Sequence, residues 1–416
     1  MIAAGALTAR ALAEAELVRI AATDAAIGAW AALDTTHVRA EAARFDAAPS
    51  RGALAGVGIG VKDIIHTRAL PTGLGSPAFA GEKSERDAEC IVRIARAGGY
   101  VFGKTVTTEM AFMQPGSTRN PWNAAHTPGG SSSGSAAAVA AGHVAGAIGT
   151  QTNGSVIRPA AYCGVVGFKP TLAAIPFTGV NLFSETLDTV GTFTRSVRDA
   201  ATLAGALVDG GLAVPETGGA APRLAFLAEF PWAPVDEDMR AALGAAVARL
   251  RAAGATIVAV ELPEAGCNAV ATLRTIMLAE AARNLAAVRQ RAGARLSACL
   301  VAALDDGAAI AASEYRAALA ARSALIAALP SWFGACDAVI TPPAPAAAPA
   351  GLDTTGDPSC CTLWSLAGAP ALSLPVGRDR RGLPLGLQLA ARPGADARLL
   401  AVAAWCEAQL PFVGLP

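Results

Sequence analysis

Net charge is absent from this sequence: 33 Lys and Arg balance 33 Asp and Glu over 416 residues. A chain without excess positive charge has no electrostatic footprint for nucleic acid or for an anionic membrane surface. Charged side chains of either sign are scarce, at 16% against 53% hydrophobic residues and 43 glycines. Such a composition excludes disorder and fibrous assembly and can bury a large core. The eight cysteines (Cys90, Cys163, Cys267, Cys299, Cys336, Cys360, Cys361 and Cys406) show no CxxC spacing, and the adjacent pair does not easily close an ordinary bridge. They read as reduced, mostly buried thiols of a cytoplasmic protein. No Asp, Glu, Lys or Arg occurs from 120 to 157, a stretch longer than a bilayer span needs. It is crowded with Gly, Ser, Thr, Gln and Asn, with Pro121 and Pro128 near its start, which argues against a transmembrane helix. An unbroken apolar leader is missing too, because Arg10, Glu14, Glu16 and Arg19 interrupt the first residues, which read as an amphipathic helix.

The patterning that is present predicts alternating strands and helices. An Ala-rich helical start runs to about Phe45, followed by a buried strand in GVGIGVKDII at 56–65, a helix around 87–98 and a strand at 100–105. A Gly/Ser-rich loop then leads to an Ala-rich helix at 135–145, the strand AIGTQT and a second Gly turn. A surface connection at 210–222 precedes a strand in RLAFLA, a helix at about 236–253 and the strand TIVAVEL, after which 264–330 is mostly helical. DAVITPPAP reads as a strand ending in a Pro-rich loop, and the chain closes with a strand near PLGLQLA and a helix from about Asp396. The alternation predicts an α/β sheet, and the absence of a long polar linker predicts one domain over 1–416.

Candidate chemistry narrows by elimination. His37, His66, His126 and His143 have no HxxxH or HExxH spacing, so no metal site is expected. PGGSSSGS lacks the Lys of a phosphate-binding loop. Gly130 to Gly134 satisfy GxSxG, the elbow around an α/β-hydrolase serine, but that fold places its histidine far downstream, and the one histidine after Ser132 is His143, read as part of the next helix. Lysine is the informative residue, since the 33 basic side chains include only Lys62, Lys83, Lys104 and Lys169. Lys62 interrupts an apolar strand, where alternation puts it on one face with Ile64 and places Ile59, Val61 and Asp63 on the other. Desolvation lowers an amine from about 10.4 toward neutrality, each unit costing roughly 1.4 kcal/mol, and a neutral amine can take a serine proton. Lys104, in VFGKT at a strand end, is an equal rival on these grounds.

Four segments together resemble the amidase signature family: GVKDII at 60–65, GKT at 103–105, PGGSSSGSAAAVAAG at 128–142 and GTQTNGSVIRPAAYCGVVGFKPT at 149–171. The likeness extends through LDTVG, DAVITP, LAGAPALSLPVG and GLPLGLQL. It implies an α/β/α fold with a mixed central sheet flanked by helices, and a Ser, cis-Ser, Lys triad. Carried onto this chain, the nucleophile falls on Ser155, the bridging cis-serine on Ser131 and the general base on Lys62, which decides between Lys62 and Lys104. The turn Thr152, Asn153, Gly154 offers backbone N–H groups to a developing oxyanion. Arg158, Gly130, Ser132 and Thr150 are the expected substrate contacts. The resemblance implies a small amide substrate, no cofactor, and the homodimer that is common among its members.

Three departures bear on the substrate. Much of the family has an acidic residue at Gln151 and Gly at Asn153, where Asn tolerates φ > 0 better than most residues. The arginine of Ser155-Val156-Ile157-Arg158-Pro159 stands one place later than usual, as in the malonamidase branch. There an arginine grips the carboxylate of a malonamate-type amide in two-toothed fashion. The leading expectation is therefore hydrolysis of a small carboxyl-bearing amide to acid and ammonia through an acyl-enzyme. The alternatives are a carbamate, urea-derivative or aryl-amide hydrolase of the same family, and the glutaminase subunit of a tRNA-dependent amidotransferase.

Overall fold

The computed structural model describes residues 2, 5–48, 52–216, 219–410, 412 and 416. Parts of the predicted N-terminal helix (1, 3 and 4) and of the predicted surface connection (217 and 218) lie outside the described residues. One mixed sheet of 11 strands organises the rest. Its members are β1 (Trp30–Ala32), β2 (Gly58–Lys62), β3 (Tyr100–Thr105), β4 (Gly146–Gln151), β5 (Val166–Lys169), β6 (Thr189–Thr194), β7 (Arg223–Phe226), β8 (Thr256–Ala259), β9 (Ala338–Thr341), β10 (Ala371–Arg378) and β11 (Pro384–Ala390). In space the order is β1-β3-β2-β4-β6-β5-β10-β11-β9-β7-β8. β2 is parallel to β3 and β4, β7 is parallel to β8 and β9, and the remaining neighbours are antiparallel.

Helices cover both faces. In the first half they are α1 (Ala9–Ile27), α2 (Thr35–Ala47), α3 (Glu89–Arg96), α4 (Ser133–Ala140), α5 (Ile157–Cys163) and α6 (Val197–Leu207). In the second half they are α7 (Glu237–Ala252), α8 (Ala269–Asn284), α9 (Ala286–Ala292), α10 (Ala298–Ala309), α11 (Ala312–Phe333), α12 (Thr362–Leu366) and α13 (Asp396–Gln409). Residues of α1, α2 and α4 form one apolar cluster with Phe102 and Phe193, while α3, α8 and α10 form another with Ile59, Val61 and Ile148. Across the second half, α7 and α13 pack around Leu372 and Leu387, and α8, α11 and α12 around Val339 and Ala371. Among the described residues no helix is long and apolar enough to cross a membrane. All eight cysteines are free thiols, with Cys267 and Cys299 exposed.

Connectivity explains where a site can form. From β2 the chain passes through α3 to β3 on one side, then through α4 to β4 on the other side of β2, with α3 and α4 in clusters on opposite faces. Such a reversal leaves a crevice beyond the carboxyl ends of the parallel strands. Lys62 is the last residue of β2 and Gln151 the last of β4.

Several expectations change. The N-terminal helix breaks at Gly28, whose φ of 65° ends α1 before β1 and α2. The helix expected over 135–145 is Ser133–Ala140, ended by Gly142 at φ 71°, so His143 falls beyond it. β2 stops at Lys62, so Asp63 and Ile64 belong to a turn and the expected face-sharing of Lys62 with Ile64 does not apply. β6 and β10 carry no expected strand. β6 is a buried TVGTFT rather than an alternating pattern, and β10 contains Pro375 beside a register shift that accommodates it.

α4 lies unusually close to its neighbours. A Cβ on Gly134 would stand 2.3 Å from Ala29 O and 2.4 Å from Val106 N, both backbone atoms that cannot swing aside. Gly134→Ala is therefore expected to lower stability by about 1–3 kcal/mol, the range for forced overpacking. Urea unfolding checks this, and an unchanged midpoint would contradict the close packing of α4.

Candidate active site

Lys62 is fully buried, and its Nζ lies 2.7 Å from Ser131 Oγ and 2.8 Å from Thr150 Oγ1, with Thr150 O at 3.5 Å. Burial drives its pKa well below the ordinary lysine value, and the Asp188 carboxylate opposes that shift only in part. A neutral amine has two hydrogens and one lone pair. With Thr150 Oγ1 and O accepting the hydrogens, the lone pair is left for the Ser131 hydroxyl. The Gly130–Ser131 peptide is cis.

Lys104, the rival, is committed elsewhere. Its Nζ donates to Ile65 O at 2.8 Å and Thr72 Oγ1 at 2.6 Å and sits 3.3 Å from Asp63 Oδ1, which ties down the turn after β2. Burial lowers it to about 8 while Asp63 pulls the other way.

Ser155 stands half-buried in the loop between β4 and α5, and among the described residues its hydroxyl has no hydrogen-bond partner. The contact from Ser155 to Ser131 implied by the resemblance is not closed here; catalytic hydrogen bonds commonly tighten only with substrate in place. Ser155 lines a small cavity of about 60 Å³ with Ala111, Phe112, Met113, Thr152, Asn153, Gly154, Arg158, Phe183, Met277 and Pro358.

Gln151 explains how the loop is held. Its Oε1 accepts from the N–H groups of Val156 at 2.8 Å and Ile157 at 3.0 Å, while its Nε2 donates to Ser365 Oγ at 3.0 Å. Ser365 must then turn its own hydrogen outward, and it donates a short bond to Asn153 O. The amide thus supplies both an acceptor and a donor, which a carboxylate at this position would not. With these contacts made, the N–H groups of Asn153, Gly154 and Ser155 donate to no partner among the described residues and remain available beside the cavity. Asn153 does not occupy the φ > 0 region anticipated for it, so its replacement of Gly asks nothing unusual of the backbone. Thr152 donates its hydroxyl to Asp188 Oδ1 at 2.6 Å, and the other Asp188 oxygen accepts from the N–H groups of Phe183 and Ser184. Burial lifts Asp188 to about 6, against the pull of Thr152, these N–H groups and Lys62.

The expected substrate contacts divide. Arg158 reaches the cavity but is 3% exposed, and its Nη1 donates to Gly356 O at 2.8 Å, its Nη2 to Gly130 O at 2.6 Å and Thr355 Oγ1 at 3.1 Å. Its Nε is buried without a partner. Gly130, Ser132 and Thr150 do not line the cavity. Ser132 Oγ donates to Thr150 O and accepts from Thr150 N, joining the start of α4 to β4, and the Thr150 hydroxyl serves Lys62. These three side with the framework because α4 approaches β4 so closely: a Cβ on Gly149 would lie 2.5 Å from Ser132 Oγ.

Sequence reasoning passes over several participants. Asp188 sits in the LDTVG block without an assigned role, and Thr355, Thr362 and Ser365 come from a segment some 200 residues downstream of Ser155. Glu280 on α8 accepts from Thr186 N at 3.0 Å and Tyr315 OH at 2.6 Å, and forms short bonds with the hydroxyls of Ser184 and Thr186. It pins the loop that carries Phe183. A buried acid between hydrophobic helix turns is the available signal.

Known proteins agree with this geometry on its class. The sequence profile of the family described as Amidase matches residues 11–400. In Anaeromyxobacter dehalogenans (strain 2CP-C), the glutamyl-tRNA(Gln) amidotransferase A subunit is 34% identical, over 98% of this chain and 94% of that protein. A crystal structure of an amidase superposes with a TM-score of 0.89 at 31% identity, covering 98% of this chain and 97% of that one. The native peptide amidase from Stenotrophomonas maltophilia superposes with a TM-score of 0.83 at 29% identity, covering 100% and 96%. The chain belongs to the amidase family. It is an enzyme acting on C–N amide bonds, and these relatives are described as amidases and as one subunit of an amidotransferase, not specifically as malonamidases.

The buried amine has a thermodynamic signature. Lys62 is neutral in the fold well below the pH at which the unfolded chain releases that proton, so the unfolded state binds the extra proton. Stability associated with Lys62 is fully present above the unfolded lysine pKa of about 10.4 and is lost as pH falls toward its folded pKa. As pH falls below about 10, the unfolding free energy of the wild type is expected to drop relative to Lys62→Met by on the order of 1 kcal/mol per pH unit until the folded pKa is reached. Parallel denaturation curves for the two proteins across that range check it. Coincident slopes would mean that Lys62 is protonated in the fold.

Proposed function

We propose that this protein hydrolyses small linear amides to a carboxylic acid and ammonia through an acyl-enzyme on Ser155. The observation that carries the reading is the 2.7 Å contact between buried Lys62 and Ser131, at the end of β2, together with a Ser155 hydroxyl that has no partner among the described residues on the loop after β4. Ser155 passes its proton to Ser131 Oγ as the Ser131 proton moves to Lys62 Nζ, and Ser155 Oγ attacks the amide carbon. The unpaired N–H groups of Asn153, Gly154 and Ser155 receive the oxyanion, a role in which losing one donor typically costs a hundredfold or more. The proton returns through Ser131 to the leaving amine, and water then enters by the same relay to release the acid. The N–H of Thr152, expected among the oxyanion donors, is likewise without a partner among the described residues, while its hydroxyl positions the loop through Asp188.

The cavity favours a neutral amide. Ala111, Phe112, Met113, Phe183, Met277 and Pro358 make its wall largely apolar, and three of the five guanidinium hydrogens of Arg158 are already held by Gly356, Gly130 and Thr355. A neutral aliphatic amide, carbamate, urea derivative or aryl amide fits this wall. A malonamate-type acid amide is the second reading, and the presence of Arg158 in the cavity lining is what favours it. The 11-stranded sheet supports reading 1–416 as one domain, and the chemistry calls for no cofactor. Cytoplasmic residence and a homodimer belong to the same proposal. The relatives named as amidotransferase A subunits make L-glutamine a necessary member of any substrate panel.

Ammonia release from malonamate, propionamide, benzamide and L-glutamine tests these assignments. Ser155→Ala is expected to lose at least about 10⁴-fold in turnover while unfolding like the wild type, in line with nucleophile deletions elsewhere. Full activity in that variant would overturn the nucleophile. Arg158→Leu is expected to depress all amides alike, by tenfold or more, because it frees Gly130 O beside Ser131. A loss confined to malonamate would instead establish the acid-amide reading.

A further inference from the structure

Asn153 stands out among the polar groups of the cavity. Of the four that line it, Thr152 is satisfied by Asp188, Ser155 is the proposed nucleophile, and Arg158 is largely occupied by backbone carbonyls. Asn153 is held at two points: its side-chain Oδ1 accepts from Thr362 Oγ1 at 3.1 Å, and its backbone oxygen accepts from Ser365 Oγ. Both partners come from the start and middle of α12, which is completely buried. Its Nδ2 has no hydrogen-bond partner among the described residues, and unlike Arg158 Nε it is not sealed from solvent. The carboxamide is thus immobilised through its oxygen with its two N–H donors left over, on a residue two places before Ser155 that lines the same cavity.

The rest of the lining side chains are Ala111, Phe112, Met113, Phe183, Met277 and Pro358. Phe112 and Phe183 stack at 5.4 Å with an interplanar angle of 13°, so this part of the lining is preassembled, and its side chains carry no oxygen or nitrogen. Glu109 fixes the turn carrying Phe112, accepting from Ser76 Oγ at 2.8 Å and Ser297 N at 2.9 Å. The cavity thus combines the unpaired Asn153 Nδ2 with a lining that is otherwise largely apolar.

We infer that Asn153 is a specificity-determining residue, whose Nδ2 donates to a second oxygen acceptor on the acyl part of the substrate, near the scissile carbonyl. The preferred class is then a short amide whose acyl chain carries a carbonyl oxygen on one side and methyl or methylene groups on the other. This rests on the Ser155 reading and deepens it. A donor held in a largely apolar site discriminates against an analogue that lacks the acceptor, because the donor is then left unpaired away from water. The Gly common at this position in the resembling family would provide no such donor.

Acetoacetamide and butyramide test the inference, since they differ only by a ketone in place of a methylene and both are neutral. The intrinsic activation of the amide by the ketone is the same for every variant, so it cancels when ratios are compared. The quantity read is the ratio of kcat/KM for acetoacetamide to that for butyramide. Asn153→Asp keeps the shape and the acceptor for Thr362 while removing the donor, and Asn153→Gly removes the side chain. In both, the ratio is expected to fall at least tenfold from the wild-type value. A ratio that stays at the wild-type value, or an equal loss on both substrates, overturns the inference. Should either variant fold poorly, the other supplies the ratio. Retained turnover in Ser155→Ala would instead overturn the reading on which the inference stands, so the two failures are told apart.

Discussion

Everything in the crevice depends on keeping one amine dry. Lys62 ends a strand in the middle of the sheet, with β3 on one side and β4 on the other, so water cannot reach its Nζ without disrupting the sheet. Desolvation alone selects the neutral form, and the neutral form alone has a lone pair to offer. The partners fit this state, since they are hydroxyls and a carbonyl rather than a carboxylate in contact. Asp188 is near enough to be felt but is directed to Thr152 and two N–H groups. A carboxylate bonded to Nζ would restore the charge that the fold removes.

Around the amine, polarity is arranged by a few side chains that each satisfy several groups. Gln151 occupies two N–H groups at the start of α5 and orients Ser365, and this leaves the neighbouring N–H groups free. Ser132 and Thr150 exchange hydrogen bonds across the junction of α4 and β4. Arg158 spans from Gly130 O to the 355–356 loop. Unpaired donors are costly, and the N–H groups left free at 153–155 lie on the loop that lines the cavity.

How much of this is legible in the sequence follows from how local each feature is. Lys62, Ser131 and Ser155 stand in contiguous, recognisable segments, and a lysine inside an apolar strand carries its own signal. The choice of Lys62 over Lys104 is not in the pattern, because both are buried at strand ends. The family resemblance points to Lys62, and the three-dimensional partners give the physical difference, with Asp63 beside Lys104 and Ser131 beside Lys62. β6 escapes pattern reading because its threonines are buried on both sides of a central strand, where alternation vanishes. Arg158 reads in sequence as a free cation near the nucleophile, while the acceptors that occupy it lie near 356. Asp188 and Glu280 are invisible in role for the same reason, since each acts on a loop far from it along the chain.

The dependence of the nucleophile loop on α12 also imposes an order in time. Lys62, Ser131 and Ser155 all lie in the first 155 residues, but Thr355, Gly356, Thr362 and Ser365, which hold Gly130, Arg158 and Asn153 in place, leave the ribosome some two hundred residues later. β10, which carries the sheet onward from β5 to its second half, comes later still. A nascent chain therefore holds the reactive groups long before it holds their geometry. On the proposed Ser155 reading, synthesis of that later segment completes the site, since the earlier segment alone lacks the groups that hold Arg158 and Asn153.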